Sequence, residues 1–187
     1  MVSTESYCDL IRTHYVDFWS KDYETVRFDK GPVGDLPQEF RVLRFKPFGG
    51  RKMWTYATQC MSRRVDGEGL EIHIFTNGKH DEVIEILVAA AHYHRTGVRL
   101  NVGHTVNFGQ PWIIGSSCEY GLLSRPYLDG PQLEWLDKEG IRVRFLWLVP
   151  VSKSEVEYAR RNGLDALETR FDSCPFDYTN PHRAPIV

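Results

Sequence analysis

Long apolar runs, strong net charge and an export signal are all missing from this sequence. The longest apolar run, from Val83 to Ala91, is interrupted by Glu85 and falls short of the roughly 20 residues that a membrane-spanning helix needs. The formal net charge is only -2, so bulk electrostatics predicts no binding to nucleic acid or to a membrane surface. Residues 1–20 are acidic and amphipathic, unlike a secretory signal with its basic start and apolar middle. We therefore expect a cytoplasmic protein.

Cysteine is scarce and widely spaced. The four cysteines are Cys8, Cys60, Cys118 and Cys174, and no CxxC or CxxH pair occurs, which argues against a zinc knuckle or a redox dithiol. An even number would permit two disulfides, but a chain of 187 residues can bury a sufficient core without them. Together with the expected location, this favours reduced thiols.

Metal and cofactor motifs are absent from the sequence. His92 and His94 are close in sequence, but two residues separated by one position on a helix point to opposite sides. The chain contains neither the HExxH zinc motif nor the phosphate-binding patterns GxxxxGK[ST] and GxGxxG. We therefore expect no metal and no cofactor.

One short segment approaches a catalytic motif. Residues 115–119 read Gly-Ser-Ser-Cys-Glu, which resembles the GxSxG nucleophile elbow but has Glu119 where the last glycine is required. A turn rich in glycine and serine is the commoner explanation of such a string. We expect no enzymatic activity, and a small hydrolase that uses Ser117 or Cys118 with His104 remains the alternative.

Helical periodicity is clearest in residues 81–96. The segment has acidic residues near its start, basic residues near its end and Gly97 placed to cap it. Its middle is apolar on nearly every side, which is typical of a helix packed against a sheet. The spacing of Tyr7, Leu10, Ile11, His14 and Phe18 predicts a second, amphipathic helix at the N-terminus.

Strand-length apolar runs precede the long helix and are separated by glycine-containing turns. They cover roughly residues 23–29, 39–46, 52–60 and 69–76, and shorter extended pieces are expected at 105–108 and 121–124. In the fourth run, apolar residues alternate with Glu71 and His73. This alternation predicts one buried and one wetter face.

The C-terminal third predicts a central strand followed by two helices. Residues 141–149 form the strand, which we expect Pro150 to close. Ser152 and Glu155 have capping-box spacing and open a helix that ends at Gly163. A short helix follows, and the tail over residues 174–187 should be extended or poorly ordered. No linker divides residues 1–187, so we expect a single domain of the α/β (α+β) class.

The order of these features resembles the Suppressor of fused (SUFU-like) domain family. The similarity begins with the aromatic segment Trp54–Ser62, continues through Leu70–Ile74, Gly103-His104 and Leu122-Leu123 with Pro126, and is most specific at Val143–Val151, followed by Glu155, Gly163 and Leu167. It covers roughly residues 54–171. Cys60 departs from the pattern, since the family usually has glycine there.

The resemblance implies a mixed, mainly antiparallel sheet flanked by helices, and a non-enzymatic protein-binding function. Animal members are two-domain proteins that sequester a transcription factor, whereas the single domain here is similar to stand-alone bacterial members, which serve as immunity proteins against polymorphic toxins. The implied partner is therefore a toxin domain.

Partner-binding positions follow from the same resemblance. In the animal branch a partner peptide adds a strand to the sheet, and the similarity points to Tyr56 and Asp66. Tyr56 as a core residue and Asp66 as a turn residue before Gly67 remain the alternatives for these positions. A regulatory or structural subunit is the remaining alternative for the whole chain.

Overall fold

An eight-stranded sheet organises the residues that the computed structural model describes, namely 4–31, 33–63 and 67–187. The strands are β1 (Tyr23–Val26), β2 (Arg41–Phe45), β3 (Trp54–Gln59), β4 (Gly69–Thr76), β5 (Thr105–Asn107), β6 (Cys118–Ser124), β7 (Trp135–Lys138) and β8 (Ile141–Ser152). The α-helices are α1 (Thr4–Phe18), α2 (Glu82–Thr96), α3 (Pro131–Glu134), α4 (Lys153–Asn162) and α5 (Leu164–Ser173). The predicted α/β class is confirmed.

The sheet is mixed but mainly antiparallel, as expected. The strand order is β1-β2-β3-β4-β8-β6-β5, and β7 pairs with β8 beside this path. Only β4 and β8 run parallel among the described strands, with Ile72 opposite Leu146. β8 pairs with β4 along one side and, along the other, with β7 and then β6. The last strand in sequence is therefore central in space.

Helix α2 covers one face of this sheet. Its bounds agree closely with the predicted segment 81–96, and seven of its apolar residues are buried. They share a buried cluster with Tyr56, Ile72 and Ile74 of the neighbouring strands. Burial between the sheet and the surrounding loops thus explains why α2 is apolar on nearly every side.

Both faces of β4 are buried, which corrects the expectation of one wetter face. Glu71 and His73 are fully buried because α1 and the residue that follows it cover this side, with the Trp19 ring 5.3 Å from the His73 ring. Burial raises the pKa of Glu71 to about 8 and lowers the pKa of His73 to about 3. Both side chains are therefore mainly uncharged at neutral pH.

The expectation of reduced cysteines is wrong for one pair, because Cys8 and Cys60 form a disulfide. Their Cα atoms lie 5.6 Å apart, within the range that a disulfide requires. Spacing along the sequence did not predict this contact, which depends on α1 packing against the end of β3. Cys118 and Cys174 are not disulfide-bonded.

The predicted capping box at the start of α4 is confirmed. The Ser152 hydroxyl accepts from the Glu155 N–H at 3.3 Å, and the Glu155 carboxylate accepts from the Ser152 N–H at 2.8 Å. Pro150 does not close the strand, since β8 continues to Ser152. The Pro150 carbonyl accepts from Arg183 at 2.8 Å. The backbone of Pro150 therefore faces away from β6, and its missing N–H removes no ladder bond.

Candidate partner-binding site

The residues of the alternative hydrolase are not brought together. Leu123 donates its N–H to the His104 carbonyl at 2.9 Å, so His104 is level with Leu123 while Cys118 begins the same strand five positions away. At about 3.3 Å per residue this is roughly 16 Å along β6. Cys118 is buried, and that burial raises the pKa of its thiol. It also starts a strand rather than the helix that a nucleophile elbow needs.

Metal-binding groups of three or more His, Cys, Asp or Glu residues are not found within the described ranges. In the same ranges, no helix has both the length and the apolarity to span a membrane.

Tyr56, one of the two predicted partner-binding residues, lies in the interior. Its side chain is fully buried, and its hydroxyl accepts a hydrogen bond from the His80 N–H at 2.8 Å. Any effect of Tyr56 on a partner must therefore pass through the residues that it holds in place. Asp66 lies outside the described residues.

Strand β5 leaves one side of its backbone open. Phe108 donates its N–H to the Glu119 carbonyl at 3.0 Å, and the His104 carbonyl accepts from Leu123. In an antiparallel pair the backbone groups of alternate residues face the partner strand, so those of Thr105 and Asn107 face away from β6. No described residue hydrogen-bonds to these outward N–H and C=O groups. The end of the sheet can therefore accept a further strand.

Two grooves flank this open strand. One, of about 370 Å³, lies between α2 and the loop after β5, and Ile114 at its border is 94% exposed. The other, of about 400 Å³, lies towards α4 and includes Val98, which is 61% exposed. Exposed apolar side chains on both sides of an unpaired strand are typical of a surface that binds a peptide.

The opposite edge of the sheet is protected by charge. There the Glu24 carboxylate of β1 pairs with Arg44 and, at 3.6 Å, with Lys79. Charged residues on an edge strand discourage pairing with another chain, and β5 contains none. The two edges therefore differ, and β5 is the one suited to strand addition.

Sequence reasoning predicted an extended piece at residues 105–108 but not its position at the edge. That position depends on β8 entering the sheet between β4 and β6, a long-range arrangement that local periodicity does not encode. The available signal was a short strand with no charged residue, followed by the apolar Trp112, Ile113 and Ile114 in a loop.

Solved structures share this fold. A SUFU (Suppressor of fused protein) homologue from Neisseria gonorrhoeae FA 1090 superposes with a TM-score of 0.83 and 28% identity, and the match covers 98% of both chains. The structure of a Sufu–Fu complex matches with a TM-score of 0.71 and 16% identity over 98% of this chain and 91% of the other. Drosophila Suppressor of Fused matches with a TM-score of 0.69 and 16% identity over 96% of this chain and 50% of its own.

Family assignment rests on the sequence as well as on the fold. No protein with a curated function matches the chain closely enough to count as a relative. The model of the Suppressor of fused protein (SUFU) family matches residues 37–184, which include the predicted stretch 54–171. This chain therefore belongs to the Suppressor of fused protein family.

Proposed function

We propose that this protein is a non-enzymatic protein-binding module that takes a segment of its partner along the open edge of β5. The SUFU family is a regulatory, protein-binding family. The observation that carries the proposal is the outward-facing, unpaired backbone of Thr105 and Asn107 beside the exposed Ile114. In strand addition, backbone hydrogen bonds give affinity and neighbouring pockets give specificity.

The partner that we propose is a toxin domain, and the role is that of an immunity protein. Support comes from the resemblance to stand-alone bacterial members and from the Neisseria relative, which matches the chain almost end to end. We further propose that residues 1–187 act as a single cytoplasmic domain that needs no metal, nucleic acid or membrane. Roles for Tyr56 and Asp66 in partner binding stay predictions.

Co-expression with the toxin encoded beside the gene tests the immunity role. The chain should restore growth and co-purify with the toxin domain. Absence of a neighbouring toxin, or failure of rescue despite soluble expression, contradicts that role. Stable homo-oligomers in the absence of any toxin would instead favour the alternative of a structural or regulatory subunit.

The edge itself is tested by Thr105→Pro with Thr105→Ala as the matched control. Proline removes the outward N–H and obstructs pairing on that side, whereas the ladder to β6 uses Val106 and Phe108. We expect Thr105→Pro to weaken partner binding at least about tenfold, with melting temperatures of both variants close to wild type. Equal affinity of the two variants would place the interface elsewhere.

A further inference from the structure

The two grooves beside β5 differ in charge. The groove of about 370 Å³, named here the α2 groove, is bordered by Glu82 and Glu85, whereas the groove of about 400 Å³, the α4 groove, is bordered by Arg160. All three residues are exposed. His92 also lines the α2 groove, but its Nδ1 lies 3.4 Å from the Asp35 carboxylate, which offsets any positive charge on the ring. A segment along β5 therefore meets negative charge in one groove and positive charge in the other.

The three charges at the grooves form no ion pair with any described residue, in contrast to their neighbours on the same helices. Asp81, at the start of α2, pairs with Arg44 at 2.5 Å. Arg161, in the last turn of α4, pairs with Glu157 at 3.6 Å. Counter-charges are thus present beside the grooves but not inside them, so a partner can supply them there.

The course of β5 fixes the order of the two grooves. Residues 103–105 line the α4 groove, and residues 106–108 line the α2 groove. Tyr93, which is 40% exposed, lines both grooves and so lies where they meet. The positive charge of Arg160 therefore belongs to the start of β5, and the negative charge belongs to its end.

Helix geometry sets the length of a segment that reaches both charges. Glu85 and Tyr93 are eight positions apart on α2, which at about 1.5 Å per residue is about 12 Å. An extended segment covers that distance in about four residues. Two or three further residues take it through the α4 groove to Arg160, so about seven residues are needed.

The direction of an added strand follows from the pairing of β5. This strand runs antiparallel to β6, and only β4 and β8 run parallel among the described strands. Antiparallel pairs are also slightly stronger per residue and more common than parallel pairs. An antiparallel addition to β5 places the N-terminal end of the new strand in the α2 groove and its C-terminal end in the α4 groove.

We propose that the partner segment added to β5 has a basic residue at its N-terminal end, apolar residues in its middle and an acidic residue at its C-terminal end. The basic side chain pairs with Glu82 and Glu85, and the acidic side chain pairs with Arg160. The apolar side chains lie against Tyr93 and Ile114. The inference rests on the proposed strand addition and names the chemistry of the segment that β5 receives.

Three acetylated and amidated peptides test this charge order. The forward peptide is Lys-Thr-Val-Thr-Val-Thr-Glu, the swapped peptide has Glu first and Lys last, and the neutral peptide has Gln at both ends. The amide NMR signals of Thr105 and Asn107 report binding. An exposed ion pair changes affinity by at most about fivefold, so the forward peptide should bind about tenfold more tightly than the swapped one. The neutral peptide should lie between them, and about 0.5 M salt should reduce the difference.

A charge-exchanged variant tests which residues read the peptide ends. Glu85→Lys combined with Arg160→Glu exchanges the two charges at constant net charge and should reverse the preference. Asp165→Lys combined with Arg161→Glu is the control, and it should keep the preference of the wild type. Asp165 lies in the first turn of α5 and Arg161 in the last turn of α4, and neither lines a groove beside β5. Both double variants therefore disturb equivalent helix ends.

Different results overturn different steps. Equal affinity of the forward and swapped peptides, tighter binding of the swapped one, or an unchanged preference in the charge-exchanged variant would overturn the charge order but not strand addition. Shifts of the Thr105 and Asn107 signals with protein concentration alone would mean that a second copy of the chain covers β5 instead. No shift with any peptide at about 10 mM, where even very weak binding is detected, would overturn strand addition and the charge order with it.

Discussion

Arg183 of the C-terminal segment forms a bidentate ion pair with Glu155 of α4. Nη1 donates to Oε1 at 2.7 Å and Nη2 to Oε2 at 2.8 Å, and both residues are buried. The same carboxylate accepts from the Ser152 and Ile186 N–H groups. One side chain thus joins the capping box to the C-terminal segment and holds that segment against the domain.

Removing one partner of this pair should be costly. Burial acts to raise the pKa of Glu155, but the hydrogen bonds and positive charge of Arg183, together with the Ser152 and Ile186 N–H donors, outweigh it and lower the pKa. Arg183→Met leaves a buried carboxylate without its counter-charge, and we expect a loss of about 3–5 kcal/mol in the free energy of unfolding. Urea denaturation at pH 7 measures this loss.

The double variant Arg183→Met with Glu155→Gln is the control for that experiment. It removes the unpaired charge, so it should be more stable than Arg183→Met alone. A double variant that is less stable than the single one would mean that packing of the arginine, rather than its charge, fixes the tail.

The raised pKa of Glu71, about 8, predicts a specific pH dependence of stability. The folded state holds its proton more tightly than the unfolded state, so the contribution of this group is complete below about pH 4.5 and declines as pH rises towards 8. His73, with its pKa lowered to about 3, acts in the opposite sense between about pH 3 and 6.5. Between about pH 6.5 and 8, the change in the free energy of unfolding with pH therefore reflects Glu71 rather than His73.

Glu71→Gln should flatten the stability profile within that window. Glutamine keeps the neutral form of the side chain, and it can still accept from the Met61 N–H, which is 2.9 Å from Oε1 in the native protein. Urea midpoints at pH 6.5 and 8 measure the change. If wild type and Glu71→Gln lose stability equally over this range, Glu71 does not titrate there.

Reduction of the Cys8–Cys60 disulfide should destabilise the fold. For a sequence separation of 52 residues, loop closure in the unfolded chain gives about 4 kcal/mol of stabilisation. Thermal melting with and without reductant measures it. An unchanged melting temperature would mean that the disulfide does not restrict the conformations of the unfolded chain. Because disulfides are rare in the cytosol, thiol labelling in the native cell tests the proposed cytoplasmic location, and an oxidised Cys8–Cys60 pair there would contradict it.

Cys60 also has a backbone conformation that favours glycine at this position. Its φ angle is 63°, in the left-handed region where a side chain is disfavoured and glycine is not. In a Cys8→Ala background, Cys60→Gly should therefore be more stable than Cys60→Ala by about 1 kcal/mol. Equal stability of the two variants would show that this conformation relaxes once the disulfide is gone.

Local signals in the sequence were sufficient for the four longer helices and for most strands, but not for the short helix α3, for strand β7 or for the surfaces. The capping box at Ser152 is recognisable because its two partners lie three residues apart. The burial of Glu71 and the pairing of Cys8 with Cys60 depend on where α1 packs, which no local pattern encodes. The same holds for the open edge at Thr105 and for the two grooves beside it, since each combines segments that are distant in sequence.

The central position of β8 also has a consequence for folding. β4 can pair with β3 as soon as residue 76 is made, but its other edge stays unpaired until Val143 is available to pair with Gly69. During synthesis the first four strands therefore form a sheet with an exposed, apolar edge until nearly four-fifths of the chain has emerged. Folding of this chain is completed late, because it depends on pairing between strands that are distant in sequence. A chain truncated before β8 should therefore aggregate rather than form a smaller domain.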